Sequence, residues 1–255
     1  MRLAIMQPYF FPYIGYFQVI QAVDKYILSE HVSFIKSSWI NNNRLRVRNG
    51  LEFGIKVPLL NASSNKTIAE IRIENHKDWS GKILNSLKMI YRNSPFYYEV
   101  FPFLEDIIRP DYTFIHQLNG ETIKAVACYL DIKTDIQTCT DNYLPLEADL
   151  REIDLGYSSK LKFLGKTRPA RRTARIVAMC MNEGANVYIN AIGGMDLYSK
   201  EEFKECGIEL KFLKSNNITY NQLSKDFIPN LSIIDVLFYN GKDGTKNLLN
   251  EYTLI

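Results

Sequence analysis

The chain has 255 residues, of which 46% are hydrophobic and 23% charged, and its 31 basic and 28 acidic side chains leave a net charge of +3. That apolar fraction is enough for a real core in one or two domains, and it excludes a disordered, collagen-like or disulfide-stapled chain. A balance so close to neutral gives no footprint for nucleic acid, and the longest apolar stretches, such as 232–239, fall far short of the roughly 20 residues of a membrane-spanning helix.

Taken in chain order, Arg2 to Met6 reads as a buried strand, Gln7 to Pro12 as a loop rich in proline and aromatics, and the run from Tyr13 towards Asp24 as a helix. Tyr26 to Ser29 follows as a second strand, so the opening segment is a βαβ unit and predicts a parallel sheet. Ser33 to Asn49 is polar and amide-rich and reads as a functional loop; Phe53 to Leu59 and Thr67 to Ile73 read as strands of a small β excursion. Ile83, Leu87, Ile90 and Tyr91 recur at helical spacing after Trp79, and a second helix capped by Asp111 carries Ile115, Leu118 and Val126. Later come a helix over Ala174 to Asn182, a buried strand at Val187 to Ile189, a short helix opened by the capping box Ser199-x-x-Glu202 and ended near Gly207, and a strand at Ile208 to Leu213. A last helix over Leu231 to Phe238 is expected to stop at Asn240-Gly241. The whole predicts an α/β fold: a Rossmann-like core over 1–214 with a helical insertion around 75–132, and a C-terminal helical extension over 215–255 packed on that core.

Four segments carry candidate chemistry. The turn from Gln7 to Tyr16 sits where open α/β sheets bind ligands, at the carboxyl end of a strand and the start of a helix, with Gly15 expected to admit phosphate or a nucleobase close to the backbone. Tyr13-x-Gly15-Tyr16 has the spacing of the His-x-Gly-His motif of nucleotidyltransferases, with tyrosine hydroxyls in place of imidazoles, so Tyr13 and Tyr16 are the catalytic candidates of that turn. Lys36, Trp39, Asn41, Asn43 and Arg44 combine a stacking ring, amides and cations, a set suited to a nucleotide-sugar. The basic run from Lys160 to Arg175, with Lys166, Arg171 and Arg172, is expected to close over phosphate, and Gly193-Gly194 ends a strand at the same sheet edge. His31 follows the second strand and is expected to line that edge, whereas His76 and His116 read as surface or helix residues. Cys128, Cys139, Cys180 and Cys206 are scattered without metal-ligand spacing, which predicts buried thiols and no metal site.

In order, these segments resemble the WbqC-like family of bacterial surface-polysaccharide biosynthesis over nearly the whole chain. The likeness rests on Met6-Gln7-Pro8-Tyr9-Phe10-Phe11-Pro12-Tyr13-Ile14-Gly15-Tyr16-Phe17, on Lys36-x-x-Trp39 with Asn41 to Arg44, on Gly184-Ala185-x-x-Tyr188 with Gly193-Gly194, and on Tyr220-x-Gln222 with Phe227-x-Pro229-Asn230-Leu231-Ser232-Ile233-Ile234-Asp235. It departs at Asn42, where the family commonly has Arg, and at Glu30-His31, where it often has paired aspartates. The resemblance implies a role in O-antigen or related glycan assembly, with a nucleotide-linked amino sugar as substrate. A sheet edge like that of pantothenate synthetase implies ATP, with its Mg, activating a small carboxylate before attack by the sugar amine. A thioester acyl donor, or a non-catalytic scaffold, are the alternatives. The expected setting is the cytoplasm.

Overall fold

Leu3 and Ala4 are wholly buried and Ile5 nearly so, a continuous apolar run that belongs in a sheet covered on both faces. The computed structural model describes residues 1–46, 51–139, 143, 146, 168–223 and 226–255, with backbone alone over 168–172. The run is β1 (Arg2–Met6), and it leads through α1 (Ile14–Gln21) to β2 (Lys25–Leu28), with β1 and β2 parallel and Leu3 opposite Lys25. The expected βαβ unit is therefore present.

A six-stranded sheet grows outward from this pair. On one side β2 pairs with β7 (Asp135–Thr138); on the other, β1 pairs with β8 (Val187–Ala191), β8 with β9 (Glu209–Ser215), and β9 with β10 (Tyr252–Leu254). All of these pairings are parallel except that of β10, which runs antiparallel to β9. Alternate residues divide the core between the faces. Ala4, Leu28 and Ile189 pack with Phe17 and Ile20 of α1, while Leu3, Ile5, Ile27 and Tyr188 pack with Val177 and Met179 of α5 (Arg168–Asn182). The fold is mixed α/β around a mostly parallel sheet, with helices on both faces.

Between β2 and β7 the chain makes two small hairpins, β3 (Asn42–Arg46) with β4 (Glu52–Lys56) and β5 (Leu59–Leu60) with β6 (Arg72–Ile73), followed by α2 (Trp79–Tyr91), α3 (Tyr97–Ile108) and α4 (Ile115–Tyr129). Three expectations need correction here. The segment read as a functional loop from Ser33 is not loop throughout its described part, because Asn42–Arg46 is the paired strand β3 and Asn43, Leu45 and Arg46 are buried. The helix expected from Asp111 begins at Ile115. The sequence reading also missed α3, which holds Pro102 in its interior and buries Val100, Leu104, Ile107 and Ile108; a proline there argues against a helix until the tertiary core rewards it.

Past β8 and α6 (Lys200–Glu205), capped by Ser199 as expected, the tail differs from its prediction. The helix that opens at Ile233 does stop at Asn240-Gly241 as expected, but a further helix follows it across a kink, so that α7 spans Ile233–Leu248; Gly241, whose φ of 60° is left-handed, is not helical. A Cβ at Gly241 would come within 2.5 Å of the Phe96 ring, so glycine serves both the turn and the packing. Nor is the tail purely helical: β10 returns to the sheet beside β9, with Tyr252 opposite Ser215.

Candidate functional site

The strand order places the site. From β1 the chain steps to β2 and β7 on one side and later returns to β8 and β9 on the other. At such a reversal the connections leave the sheet in opposite directions, and a crevice opens at the carboxyl ends of the two central strands. A cavity of about 500 Å³ lies there. The β1–α1 loop supplies Tyr9, Pro12, Tyr13 and Gly15; the β3 region supplies Trp39, Asn43 and Arg44; and the ends of β8 and β9 supply Ala191, Ile192, Lys214 and Ser215, with Asn230 closing one side. Two segments that the sequence presented as separate candidates, the tyrosine turn and the Trp39 cluster, are walls of the same cavity.

The β1–α1 loop is held by buried polar side chains from elsewhere in the chain. Asn43 Nδ2 donates to the carbonyls of Phe10 at 2.9 Å and Phe11 at 2.6 Å. Ser232 Oγ donates to Phe11 at 2.7 Å, and Asn119 Nδ2 donates to Pro8 at 2.9 Å and to Ile40 at 2.8 Å. The loop needs this support: Phe11, buried to 1% exposure, has a φ of 43°, a left-handed conformation unfavourable for a bulky residue and found where surrounding contacts over-determine the backbone.

Within the cavity the chemistry is aromatic and cationic. Trp39 is 41% exposed, and the Arg44 guanidinium lies over its ring at 5.2 Å while making a two-pronged ion pair with Glu52 at 2.8 and 2.9 Å. Lys214 has no ion pair among the described residues, so it is the cation left for a ligand. Burial holds the phenols of Tyr9 and Tyr13 above the usual tyrosine range, so both stay neutral and can donate a hydrogen bond at physiological pH. No side chain caps α1 at Tyr13, which leaves the partial positive charge of a helix start at the cavity wall.

Several expected site residues stand elsewhere. Tyr16 is fully buried, its hydroxyl donating to the Gln7 carbonyl at 2.9 Å; it is a core residue, and Gln7 meets it through the backbone. Asn41 is buried with its amide donating to Val57 at 2.9 Å, so its amide hydrogens serve the fold and not a sugar hydroxyl. Lys36 is exposed and, like His31, is absent from the cavity wall. Gly15 lines the cavity but leaves no room against the backbone: a Cβ there would lie 2.3 Å from the Tyr13 ring, which already fills that space. Gly193 and Gly194 form a 3-10 turn just beyond the wall, where a Cβ on Gly194 would strike the Asn190 amide at 2.5 Å. Lys166 lies outside the described residues, and of Arg171 and Arg172 only the α5 backbone is described. Further along α5, Arg175 Nη2 donates to Ser29 Oγ at 3.0 Å.

Two other groupings bring together residues far apart in the sequence. His116, read as a surface or helix residue, places Nδ1 3.4 Å from Oε2 of Glu30, which is 4% exposed at the carboxyl end of β2. In a buried network, Asp235 accepts from Tyr91 at 2.6 Å and Tyr220 at 2.7 Å, and the buried Arg46 donates to Gln222, which in turn donates to Ile228 at 2.9 Å. Burial pushes the Asp235 carboxyl above its ordinary range even against two phenol donors. The Tyr220-x-Gln222 and Asp235 motif residues were legible as a pattern, but their meeting with Arg46 spans 176 positions of sequence. Among the described residues no group of His, Cys, Asp and Glu is arranged to hold a metal ion.

The profile of the WbqC-like protein family matches residues 7–247. The chain belongs to that family. It is also similar to Rv1507c, an uncharacterized protein of Mycobacterium tuberculosis (strain ATCC 25618 / H37Rv), at 26% identity over 250 residues that make up 97% of each chain. No solved structure matches this WbqC-like chain. The match takes in both halves of the cavity, from the tyrosine turn to Asn230. No helix among the described residues is long and apolar enough to cross a membrane.

Proposed function

We propose that this WbqC-like protein binds a nucleotide-linked amino-deoxysugar at the crevice between β1 and β8 and acylates the sugar amine in O-antigen or related glycan assembly. The observation that carries the reading is the composition of the cavity wall: an exposed tryptophan, two neutral phenols and a lysine without an ion pair among the described residues, gathered at the reversal of strand order. An indole face suits a nucleobase. Lys214 and the uncapped start of α1 suit a diphosphate. Tyr9 and Tyr13, phenols that burial shifts further from ionisation, donate to phosphate or carbonyl oxygen without adding negative charge.

In this reading the acyl or aminoacyl group comes from a small carboxylate, and ATP with its Mg supplies the activation that a free carboxylate lacks. The reaction belongs to the cytoplasm, a setting that suits four free thiols. Thermal-shift titration of the full chain with ATP and Mg, acyl-coenzyme A and nucleotide-linked amino sugars tests it, since a ligand at about 100 times its dissociation constant adds roughly 2.7 kcal/mol. A shift with the nucleotide sugar, followed by acylated sugar nucleotide in a mass spectrum when carboxylate and ATP are added, is the expected result. Acylation with the thioester alone selects the preformed donor, and no shift with any nucleotide sugar removes the proposal.

A further inference from the structure

Beside the first cavity lies a second of about 480 Å³, and the two share Ser215 and Asn230 as a common wall. Its lining comes from Ser215 and the loop after β9, from Phe227 and the run Pro229-Asn230-Leu231, and from Ile14 of α1 and Val236 of α7. The chemistry changes across the wall. The first cavity carries Lys214 and Arg44; the second has no Lys, Arg, His, Asp or Glu among its described lining residues. Its one titratable group, the Tyr220 phenol, is committed to Asp235 at 2.7 Å and held far above the ordinary tyrosine range by burial. An unscreened phosphate or carboxylate has nothing to pair with there.

What the second cavity does offer is uncharged polar groups beside aromatic surface. The side chains of Asn217, Thr219 and Asn230 make no hydrogen bonds among the described residues. The Tyr220 and Phe227 rings meet edge to face, with centroids 5.3 Å apart and planes at 88°. Free amides and hydroxyls match ring hydroxyls, and aromatic surface matches the C–H face of a pyranose. The floor is rigid, since Tyr220 is tied through Asp235 to Tyr91 and through Gln222 to Arg46. Asn230 sits at a φ of 56°, a left-handed conformation that Asn tolerates better than most residues, at the boundary between the cavities.

Resting on the nucleotide-sugar reading above, we infer that the second cavity is the sugar compartment: the nucleoside diphosphate occupies the cationic cavity, and the uncharged sugar unit crosses the Ser215 and Asn230 wall into the cavity of Asn217 and Thr219. The acceptor amine thereby reacts as its neutral free base, the nucleophilic form, which a cavity with no charged side chain among its described lining favours over the ammonium ion.

Isothermal titration of the full chain with UDP and UDP-N-acetylglucosamine, and with dTDP and dTDP-glucose, tests this. The parent should bind the sugar nucleotide of at least one pair more tightly than its nucleoside diphosphate. Thr219→Val and Asn217→Leu should each weaken the sugar nucleotide by roughly 2- to 10-fold, the effect of one hydrogen bond, and leave the diphosphate unchanged. Lys214→Met should weaken both ligands of a pair. Equal losses for diphosphate and sugar nucleotide in the Thr219 and Asn217 variants, or no loss for either, overturns the sugar compartment. Failure of the parent to bind UDP or dTDP removes the nucleotide reading itself, a result separable from the other two. Both positions are solvent-exposed, so unchanged melting temperatures are expected and confirm that the variants fold.

Discussion

Asn43→Ala separates two roles for the amide at the centre of the site. The sequence offered Asn43 as a partner for sugar hydroxyls; the structure shows its Nδ2 donating to the carbonyls of Phe10 and Phe11 at 2.9 and 2.6 Å and its Oδ1 accepting from the Arg44 N–H at 2.7 Å. Removing the side chain strands the Phe10 carbonyl in a buried position, while Phe11 keeps the Ser232 hydroxyl. A buried group left unpaired costs about 1–3 kcal/mol and an ordinary hydrogen bond about 0.5–1.5 kcal/mol, so the expected loss is about 2–4 kcal/mol. For a chain of this size that lowers the melting temperature by roughly 5–15 °C. Because the freed loop also relaxes the left-handed Phe11, Tyr9 and Tyr13 lose their fixed positions and ligand affinity falls as well. Scanning fluorimetry and titration with a nucleotide sugar on the same preparation read both effects. If Asn43→Ala melts with the parent yet loses the ligand, the amide contacts the ligand directly and the loop-holding argument is refuted; if it melts and binds with the parent, both roles are refuted.

The two tryptophans should divide in the opposite way. Trp39→Ala, at an exposed ring, is expected to cost ligand affinity by about 1–3 kcal/mol with little change in melting. Trp79→Ala, at a ring 7% exposed whose Nε1 donates to Asn75 at 3.1 Å, should cost about 3–5 kcal/mol of stability; early melting of Trp39→Ala with normal binding would reverse the assignment. Alkylation with iodoacetamide at pH 8 should label exposed Cys128 and spare Cys180, whose thiol burial pushes up to about 12; labelling of Cys180 in the native chain, read by peptide mass spectrometry, would show that α5 opens. Asp131 is held down to about 2 by Lys246 and Lys242. A depressed carboxyl contributes stability above the unfolded-state value and loses it as pH falls through the folded value, so the stability that Asp131 adds should vanish between about pH 4 and pH 2 and weaken in salt. Asp131→Asn should flatten that part of the acid limb, and an unchanged acid profile would show the pair adds nothing.

Local periodicity made the opening βαβ unit, α2, the Ser199 cap and the strands at 187 and 208 readable, because each rests on residues a few positions apart. The β3 hairpin was not readable in this way: Asn43 looks like loop chemistry until it is known that its amide satisfies carbonyls of the β1–α1 loop some 33 positions earlier. The helix α3 was hidden by Pro102, and β10 by its brevity, a three-residue strand whose ladder partner, the edge of β9, lies about 40 positions earlier in the chain. For the site, residue type in the sequence marked Tyr13, Gly15, Trp39, Asn43 and Arg44, all of which line the cavity. It also marked Tyr16 and Asn41, which the core absorbs. The sequence by itself determined the α/β class and the aromatic, amide-rich character of the site, since these follow from composition and short-range pattern. Only the tertiary structure decided which polar groups face the cavity and which hold its walls, because a buried amide and an open one differ in long-range partners and not in identity.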